Sequence, residues 1–252
     1  MDKNKILDEI KNNYDEFIDA DKFAIDEDVI IRCLDNIRAL FFPDYFRHDD
    51  DLLDRIITDL KTEIKKINID YEKIVDEFVS RLPYLQKMVY KDVEAIYNGD
   101  PSCKTYSEII KSFPGFIAIL AYRIAHELYL ENVPIIPRMI SEYAHDKTGI
   151  DINPGATIGE YFCIDHGTGI VIGETATVGD HVRLYHGVTL GVRSFKKDEM
   201  GNLMKGGKRH PNIGNNVIIY ANATILGGDT YIADNSVIPT GSLIIQTPET
   251  FK

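Results

Sequence analysis

Histidine and aspartate residues in the second half of the sequence have the types and spacing for general acid–base chemistry. His166 lies between Asp165 and Gly167, and Asp151 precedes it by fifteen residues. An imidazole titrates at about pH 6.5, so it can take the proton of an alcohol while the oxygen attacks a carbonyl carbon. A carboxylate on the far ring nitrogen would fix the tautomer and stabilise the imidazolium. We therefore predict that His166 is a general base oriented by Asp151.

The elements that position these residues are predicted by a six-residue repeat that begins after Gly149. Aliphatic residues recur at this interval, with one two-residue slip, one long interruption and one extra residue before Ile232: Ile152, Ile158, Ile164, Ile170, Ile172, Val178, Leu184, Leu190, Ile213, Ile219, Ile225, Ile232, Ile238 and Ile244. Such repeats indicate a β-helix whose coils each take three hexapeptides, stacked by parallel β hydrogen bonds about 4.8 Å apart. Asp151 is nearly one coil before His166, so stacking could bring the two together.

The first half has a different period. Up to about residue 147 the apolar residues follow helical spacing, as in the stripe Leu52, Ile56 and Leu60. We predict an α+β fold, with an α-helical domain over residues 1–147 and a β-helix domain over residues 148–252.

A loop over residues 192–208 interrupts the repeats. It is locally basic, through Arg193, Lys196, Lys197, Lys205 and Lys208. A long loop in a compact repeat is either a solvated surface segment or functional, here as a flap over an anionic cofactor.

Composition excludes several classes of function. The formal net charge of −12 argues against nucleic acid as a partner, because phosphate binding needs a basic face. No apolar run approaches the roughly 18 residues of a membrane helix, and the charged start does not resemble a signal peptide. Cys33, Cys103 and Cys163 are odd in number and far apart, which predicts free thiols in the cytoplasm. Cys163 precedes the His166 motif, but we expect it to pack as a small hydrophobic residue rather than to act as a nucleophile.

Several short motifs narrow the function. They are Asp100-Pro101, Asp151-Ile152-Asn153-Pro154, Asp165-His166-Gly167-Thr168-Gly169, Gly173-Glu174-Thr175, Val188-Thr189-Leu190-Gly191 and Arg209-His210-Pro211. Their order and spacing resemble those of the serine O-acetyltransferases over roughly residues 90–245. The resemblance implies a left-handed parallel β-helix that transfers acetyl from acetyl-CoA to the hydroxyl of L-serine. The products would be O-acetylserine and CoA, in the first step of cysteine biosynthesis, with direct transfer and no acyl-enzyme.

The same resemblance assigns site residues. It places the catalytic pair on His166 and Asp151, the serine carboxylate on Arg209 and His210, and the ammonium and hydroxyl end near Asp100 and Asp165. Glu174 matches an acidic position of the site. The small residues Gly191, Ala221 and Thr240 match positions along the pantetheine arm of acetyl-CoA, and backbone N–H groups near Gly191 would hold the oxyanion. No metal is expected.

The resemblance also implies partners. The expected assembly is a trimer with active sites between subunits, or a dimer of trimers joined through the helical domains, with cysteine as a feedback inhibitor at the serine site. Val192 stands where the family usually has a second glycine. The sequence stops at Lys252 without the isoleucine-ended tail that docks into cysteine synthase, so that complex is not expected.

Three other functions compete with this one. The acceptor could be homoserine, a sugar or a drug hydroxyl instead of serine. His166, His181, His186 and His210 could form a zinc site like that of carbonic-anhydrase β-helices, although such a site needs several neutral imidazoles that converge on one point. The chain could also be a non-catalytic scaffold, which the paired histidine and aspartate argue against.

Overall fold

The computed structural model describes residues 2–17, 23–46, 49–67, 70–195, 197–204 and 206–248. Lys196 and Lys205 of the predicted basic loop and residues 249–252 lie outside these ranges. No single helix in the described ranges is both long and apolar enough to cross a membrane. The helices Tyr106–Ser112 and Pro114–Leu130 meet that criterion only when joined, and they are bent by 68° at the break between them.

The first part of the chain is helical. Its α-helices are α1 Lys3–Phe17, α2 Glu27–Phe41, α3 Leu52–Lys65, α4 Tyr71–Gly99, α5 Tyr106–Ser112, α6 Pro114–Leu130 and α7 Ile136–Thr148, with a 3₁₀ turn at Pro43–Tyr45. Side chains cap several of them: Asp26 accepts from the backbone of Asp28, and Thr105 accepts from the backbone of Glu108. α6 is buried along most of its length, between α4 and α7. The long helix α4 ends at Gly99, and its C-cap residue is Asp100, so this predicted site residue lies where α4 reaches the β-helix.

The second part is a parallel β-helix. Its strands are β1 Asp151–Ile152, β2 Thr157–Ile158, β3 Cys163–Asp165, β4 Val171–Ile172, β5 Thr177–Val178, β6 Arg183–Tyr185, β7 Thr189–Gly191, β8 Asn212–Ile213, β9 Ile218–Ile219, β10 Thr224–Leu226, β11 Tyr231–Ile232, β12 Val237–Ile238 and β13 Leu243–Ile244. Each strand pairs with the strand three positions later in the chain. The first sheet therefore has the order β1-β4-β7-β10-β13, the second β11-β8-β5-β2 and the third β12-β9-β6-β3.

The predicted aliphatic positions form the interior of the coils. All fourteen are buried, from Ile152 at 3% exposed to Ile244 at 6%. Three sets of turns join the sheets. The turns from the third sheet to the first contain His166 and are called the histidine corner. The turns from the first sheet to the second include Glu174 and the loop after Gly191, and are called the arginine corner. The turns from the second to the third sheet repeat a left-handed residue on each rung: Tyr161, His181, Asn216 and Asn235.

The helices cover the first coil of the β-helix. Arg123 of α6 forms a bidentate pair with Asp92 of α4, at 3.0 Å for both contacts, and both side chains are almost fully buried. Arg123 also donates to the carbonyl of Ile158 at 2.6 Å, and the backbone N–H of Phe162 donates to Asp92 at 2.9 Å. Tyr122 Oη donates to the carbonyl of Ala156 at 2.7 Å. Arg123 and Asp92 make hydrogen bonds to each other and to backbone groups of the first coil. Because of these bonds, the two charges are tolerated in the interior.

Candidate active site

His166 lies on an enlarged turn of the histidine corner. Ile164 pairs with Leu184 and Val171 pairs with Thr189, so seven residue steps in the first coil match five in the second. The two extra residues explain the slip in the six-residue repeat. His166 has φ of 57° and its side chain is 76% exposed. A side chain in this left-handed region is uncommon, and such strain concentrates at functional sites.

Two predicted acids lie beside His166. Asp165 Oδ1 is 3.7 Å from His166 Nε2. Asp100 accepts hydrogen bonds from the backbone and hydroxyl of Ser102, at 2.8 and 2.7 Å. The Ser102 hydroxyl contributes most to lowering the pKa of Asp100 below its ordinary value, and proximity to His166 adds to it. The corner therefore combines an open imidazole with two acids suited to an ammonium group.

Asp151 lies apart from this group. It begins β1 and stacks beneath Val171, and no hydrogen bond or ion pair joins it to His166 in the described part of the chain. The expected contact is absent because a residue fifteen before His166 falls on the next side of the same coil. Instead, Asp151 lies near Glu142 and His145. A carboxylate oxygen of each acid and a ring nitrogen of His145 are all within 4.8 Å of one another. The role of Asp151 stays a prediction.

The arginine corner brings together the other predicted polar residues. Arg209 forms an ion pair with Glu174, whose other oxygen lies 3.4 Å from Tyr129 Oη. Thr175 Oγ1 accepts from the backbone N–H groups of Arg209 and His210, at 2.9 and 3.1 Å. The Thr175 N–H donates to His210 Nδ1 at 3.1 Å. The end of the inserted loop is thus fastened to the coil below it.

His210 is held in its uncharged form. Its pKa is lowered to about 4, mainly by burial and further by the charges of Arg209 and Lys208, against an opposing effect of Glu174. Its Nδ1 accepts from Thr175, so the proton of the neutral ring is on Nε2. A Cβ atom at Gly173 would overlap the imidazole, which explains why glycine stands there. This corner can offer a guanidinium and an N–H donor to a carboxylate.

The small residues predicted to line a pantetheine arm lie at two different corners. Strand register places His166, His186, Ala221 and Thr240 in one column, because each stands two residues after a paired inward aliphatic residue. Gly191 ends β7 on the far side of the first sheet, at the arginine corner. A cavity of about 510 Å³ lies beside it at the base of the inserted loop, lined in part by Arg193, Lys208 and Arg209.

The four histidines of the zinc alternative do not converge within one chain. His166 and His186 share the histidine corner, whereas His210 lies at the arginine corner. His181 occupies the remaining corner, where its ring stacks on Tyr161 with centroids 4.4 Å apart. Cys163 is buried, and burial raises the pKa of its thiol to about 12. A thiol in this state is not a nucleophile near neutral pH.

Two positioning residues were not found from the sequence. Thr175 makes the contacts that fasten Arg209 and His210, and Arg183 donates to the carbonyl of Gly99 at 2.9 Å, which holds the end of α4 beside the third sheet. Both stand at outward positions of the repeat. An outward polar residue carries no periodic signal, so only the structure identifies its partner.

The helical region, the β-helix of hexapeptide coils and the histidine displayed on a corner turn place the chain in the fold class of the hexapeptide-repeat acyltransferases, with a left-handed parallel β-helix. A family profile described as the N-terminal region of serine acetyltransferase matches residues 52–121. The chain is 45% identical over 183 residues to a plasmid serine acetyltransferase of Synechococcus elongatus, covering 69% of this chain and 57% of that protein. It is 39% identical over 159 residues to the serine acetyltransferase of Bacillus subtilis, covering 63% and 69%. The chain belongs to the serine acetyltransferase family.

Solved structures agree with this assignment. Native serine acetyltransferase 1 of Entamoeba histolytica superposes with a TM-score of 0.79 at 32% identity, covering 92% of this chain and 88% of that one. Isoform 3 of that organism in complex with cysteine gives 0.74 at 34% identity, covering 85% and 77%. The Neisseria gonorrhoeae enzyme in complex with serine gives 0.61 at 32%, covering 85% and 90%. A serine acetyltransferase complex with CoA gives 0.61 at 26%, covering 87% and 94%.

Proposed function

We propose that this chain transfers the acetyl group of acetyl-CoA to the hydroxyl of L-serine, giving O-acetylserine and CoA. The observation that carries the proposal is the histidine corner, where an exposed imidazole stands with Asp100 and Asp165. An amino-acid acceptor suits this set, because the acids complement an ammonium group and Arg209 complements a carboxylate. Family membership supports the same activity.

The reaction proceeds in one chemical transfer. The serine oxygen attacks the thioester carbon while His166 takes the hydroxyl proton, and negative charge develops on the carbonyl oxygen. When the carbon–sulfur bond breaks, the proton passes from His166 to the sulfur of CoA. A nearby carboxylate stabilises the imidazolium that exists between these steps. Asp165 lies closest to Nε2, and Asp151 is assigned the orienting role once the exposed ring of His166 turns toward it.

The separation of the two corners supports an active site shared between subunits. A serine molecule is too short to reach both His166 and Arg209 within one chain, because β4 and its flanking turns lie between them. A head-to-tail contact would place the arginine corner of one copy against the histidine corner of the next. Such a contact closes into a ring when its rotation divides the circle evenly, and we propose a trimer. The helical regions would join two trimers.

The remaining assignments follow from the same site. Gly191 of one copy and Ala221 and Thr240 of its neighbour would border the pantetheine arm of acetyl-CoA, with Arg193 and Lys208 near its phosphates. Cysteine has the ammonium and carboxylate of serine, so we propose that it competes for this site, as the cysteine complex of a relative suggests. The three cysteines form no disulfide, which fits a cytoplasmic protein.

The deciding experiment measures thiol release from acetyl-CoA by the purified full chain. L-Serine, L-homoserine and a sugar alcohol are compared as acceptors, with and without cysteine. We expect release with serine only, competitive inhibition by cysteine, and O-acetylserine as the product by mass spectrometry. Faster release with homoserine or the sugar would assign a different acceptor, and no release with any acceptor would contradict the proposed activity.

A further inference from the structure

Arg183 of β6 holds the end of α4, where Asp100 stands. Its Nη1 donates a hydrogen bond to the carbonyl of Gly99 at 2.9 Å. In the described part of the chain, this is the one hydrogen bond that joins residues 93–105 to the β-helix. The other hydrogen bonds described between α4 and the β-helix are made about two turns earlier. The position of Asp100 relative to the β-helix therefore depends on this arginine.

The strand register also places Arg183 close to the second acid of the histidine corner. Arg183 stands two residues before Tyr185, which pairs with Asp165 of β3. Because alternate residues of a strand share a face, Arg183 and Asp165 lie on the same outer face of the third sheet. Among the described contacts, no ion pair joins the guanidinium to Asp100 or Asp165. The arginine therefore ties α4 to the sheet without occupying either carboxylate.

Gly99 is matched to this arginine by close contact. A Cβ atom at Gly99 would overlap the guanidinium of Arg183. The backbone of Gly99 is not among those with positive φ, so its conformation does not require glycine. Glycine also favours a helix less than alanine does. The close approach of the guanidinium is thus the feature that explains glycine at the end of α4.

We propose that Arg183 is a positioning residue for the acceptor. By holding the carbonyl of Gly99 it sets Asp100 against the other acid of the corner, and so determines how tightly the ammonium group of serine is bound. This inference rests on the proposed acetyl transfer. The ammonium group takes no part in the chemical step, so its contacts are the same before and during transfer. Weakening such contacts raises KM for serine and leaves kcat nearly unchanged.

Three substitutions test the hydrogen bond to Gly99. Arg183→Met keeps an unbranched apolar stem without a donor, whereas Arg183→Lys keeps a charged donor. Gly99→Ala leaves the arginine in place but displaces its guanidinium, for which a cavity of about 270 Å³ beside it has room. We expect KM for serine to rise about tenfold in Arg183→Met and Gly99→Ala, and about threefold in Arg183→Lys. In all three, kcat should stay within about threefold and KM for acetyl-CoA within about twofold.

Two further measurements separate this role from a purely structural one. Alanine favours a helix, so Gly99→Ala should not lower the melting temperature even though KM for serine rises. A structural role would instead couple the rise in KM to a loss of stability. In an Asp100→Asn background the carboxylate that the arginine positions is absent. Adding Arg183→Met to it should therefore raise KM for serine by less than about twofold more, whereas independent effects would multiply.

Lys91→Met is the matched control. Lys91 pairs with Glu160 and so also joins α4 to the β-helix, but about two turns from Asp100, and its loss should leave KM for serine unchanged. If Arg183→Met does not fold, Gly99→Ala decides the question. An unchanged KM in Gly99→Ala, a lower KM in Arg183→Met or multiplied effects in the double variant would overturn the inference. Failure of the native chain to release CoA with serine would refute the proposed function instead, so the two failures are distinguishable.

Discussion

The two corners of the β-helix are built in opposite ways. At the histidine corner the His166 side chain is 76% exposed and sits on an enlarged, left-handed turn. At the arginine corner His210 is only 8% exposed, and Thr175 fastens it from two sides. Under the proposed function, the group that takes a proton is left free and the groups that bind a carboxylate are fixed in advance. Preorganised binding groups lose little entropy when the ligand arrives.

The largest expected effect comes from removing the exposed imidazole of His166. His166→Ala should lower kcat about 10²–10⁴-fold, because the variant lacks the exposed imidazole that is assigned to take the serine proton. The melting temperature should change by less than about 2 °C, since the side chain is exposed and makes few contacts. Steady-state thiol release and a thermal melt measure the two effects. A variant that keeps a tenth of native kcat would assign the base elsewhere.

A smaller effect, on KM for serine, is expected at the arginine corner. Arg209→Lys keeps a positive charge but loses the planar two-point contact, so KM for serine should rise about 10–100-fold. The KM for acetyl-CoA should stay within about twofold, because the thioester does not use this group. Initial rates with each substrate varied in turn give both constants. A fall in kcat with an unchanged KM for serine would contradict the assigned role.

Mixing two defective chains tests whether the corners of different copies work together. His166→Ala and Arg209→Ala chains would be unfolded, mixed in equal amounts and refolded. In a randomly assembled ring, about a quarter of the sites combine an intact histidine corner with an intact arginine corner, so about a quarter of native activity should return. Refolded single variants are the controls. No recovery above their sum would place each site within one chain.

The pH dependence of the free energy of unfolding tests the lowered pKa of His210 at the arginine corner. The folded-state pKa of His210 is about 4, below the value of about 6.5 expected in the unfolded chain. Between these values the unfolded state binds more protons, so the stabilisation is complete above pH 6.5 and is lost as pH falls toward 4. The loss is at most about 3 kcal/mol. Urea unfolding should show that the free energy of unfolding falls less between pH 7 and pH 4.5 in His210→Asn than in the native chain. Equal losses would mean that His210 is protonated when folded.

The smallest expected effect is at Cys163, which adjoins the histidine corner and is buried on the outer face of β3 beneath α4. Cys163→Ala should leave kcat within about twofold, because its buried thiol is not ionised. Thiol-reactive reagents should likewise leave Cys163 unmodified in the folded chain, as mass spectrometry would show. A large loss of kcat with an unchanged melting temperature would give the thiol a chemical role.

The sequence predicted the interior of the β-helix well and the relation between its corners poorly. The aliphatic positions from Ile152 to Ile244 were identified because burial imposes a strict period, and the fold class was confirmed. The slip between Ile170 and Ile172 was visible in the sequence, yet only the strand register shows that it enlarges the turn of His166. The expected contact of Asp151 with His166 is not present, because fifteen residues is less than one turn of the coil. Side-chain contacts such as those of Thr175 depend on which corners stack, which a period alone does not determine.

The contacts of α4 and α6 with the first coil close one end of the β-helix. A parallel sheet presents unpaired backbone groups at each edge, and such edges template the addition of foreign strands. Arg123, Tyr122 and Asp92 occupy backbone groups of the first coil. Strand exchange or fibrillar growth from the coil of β1 should therefore require these helices to detach first.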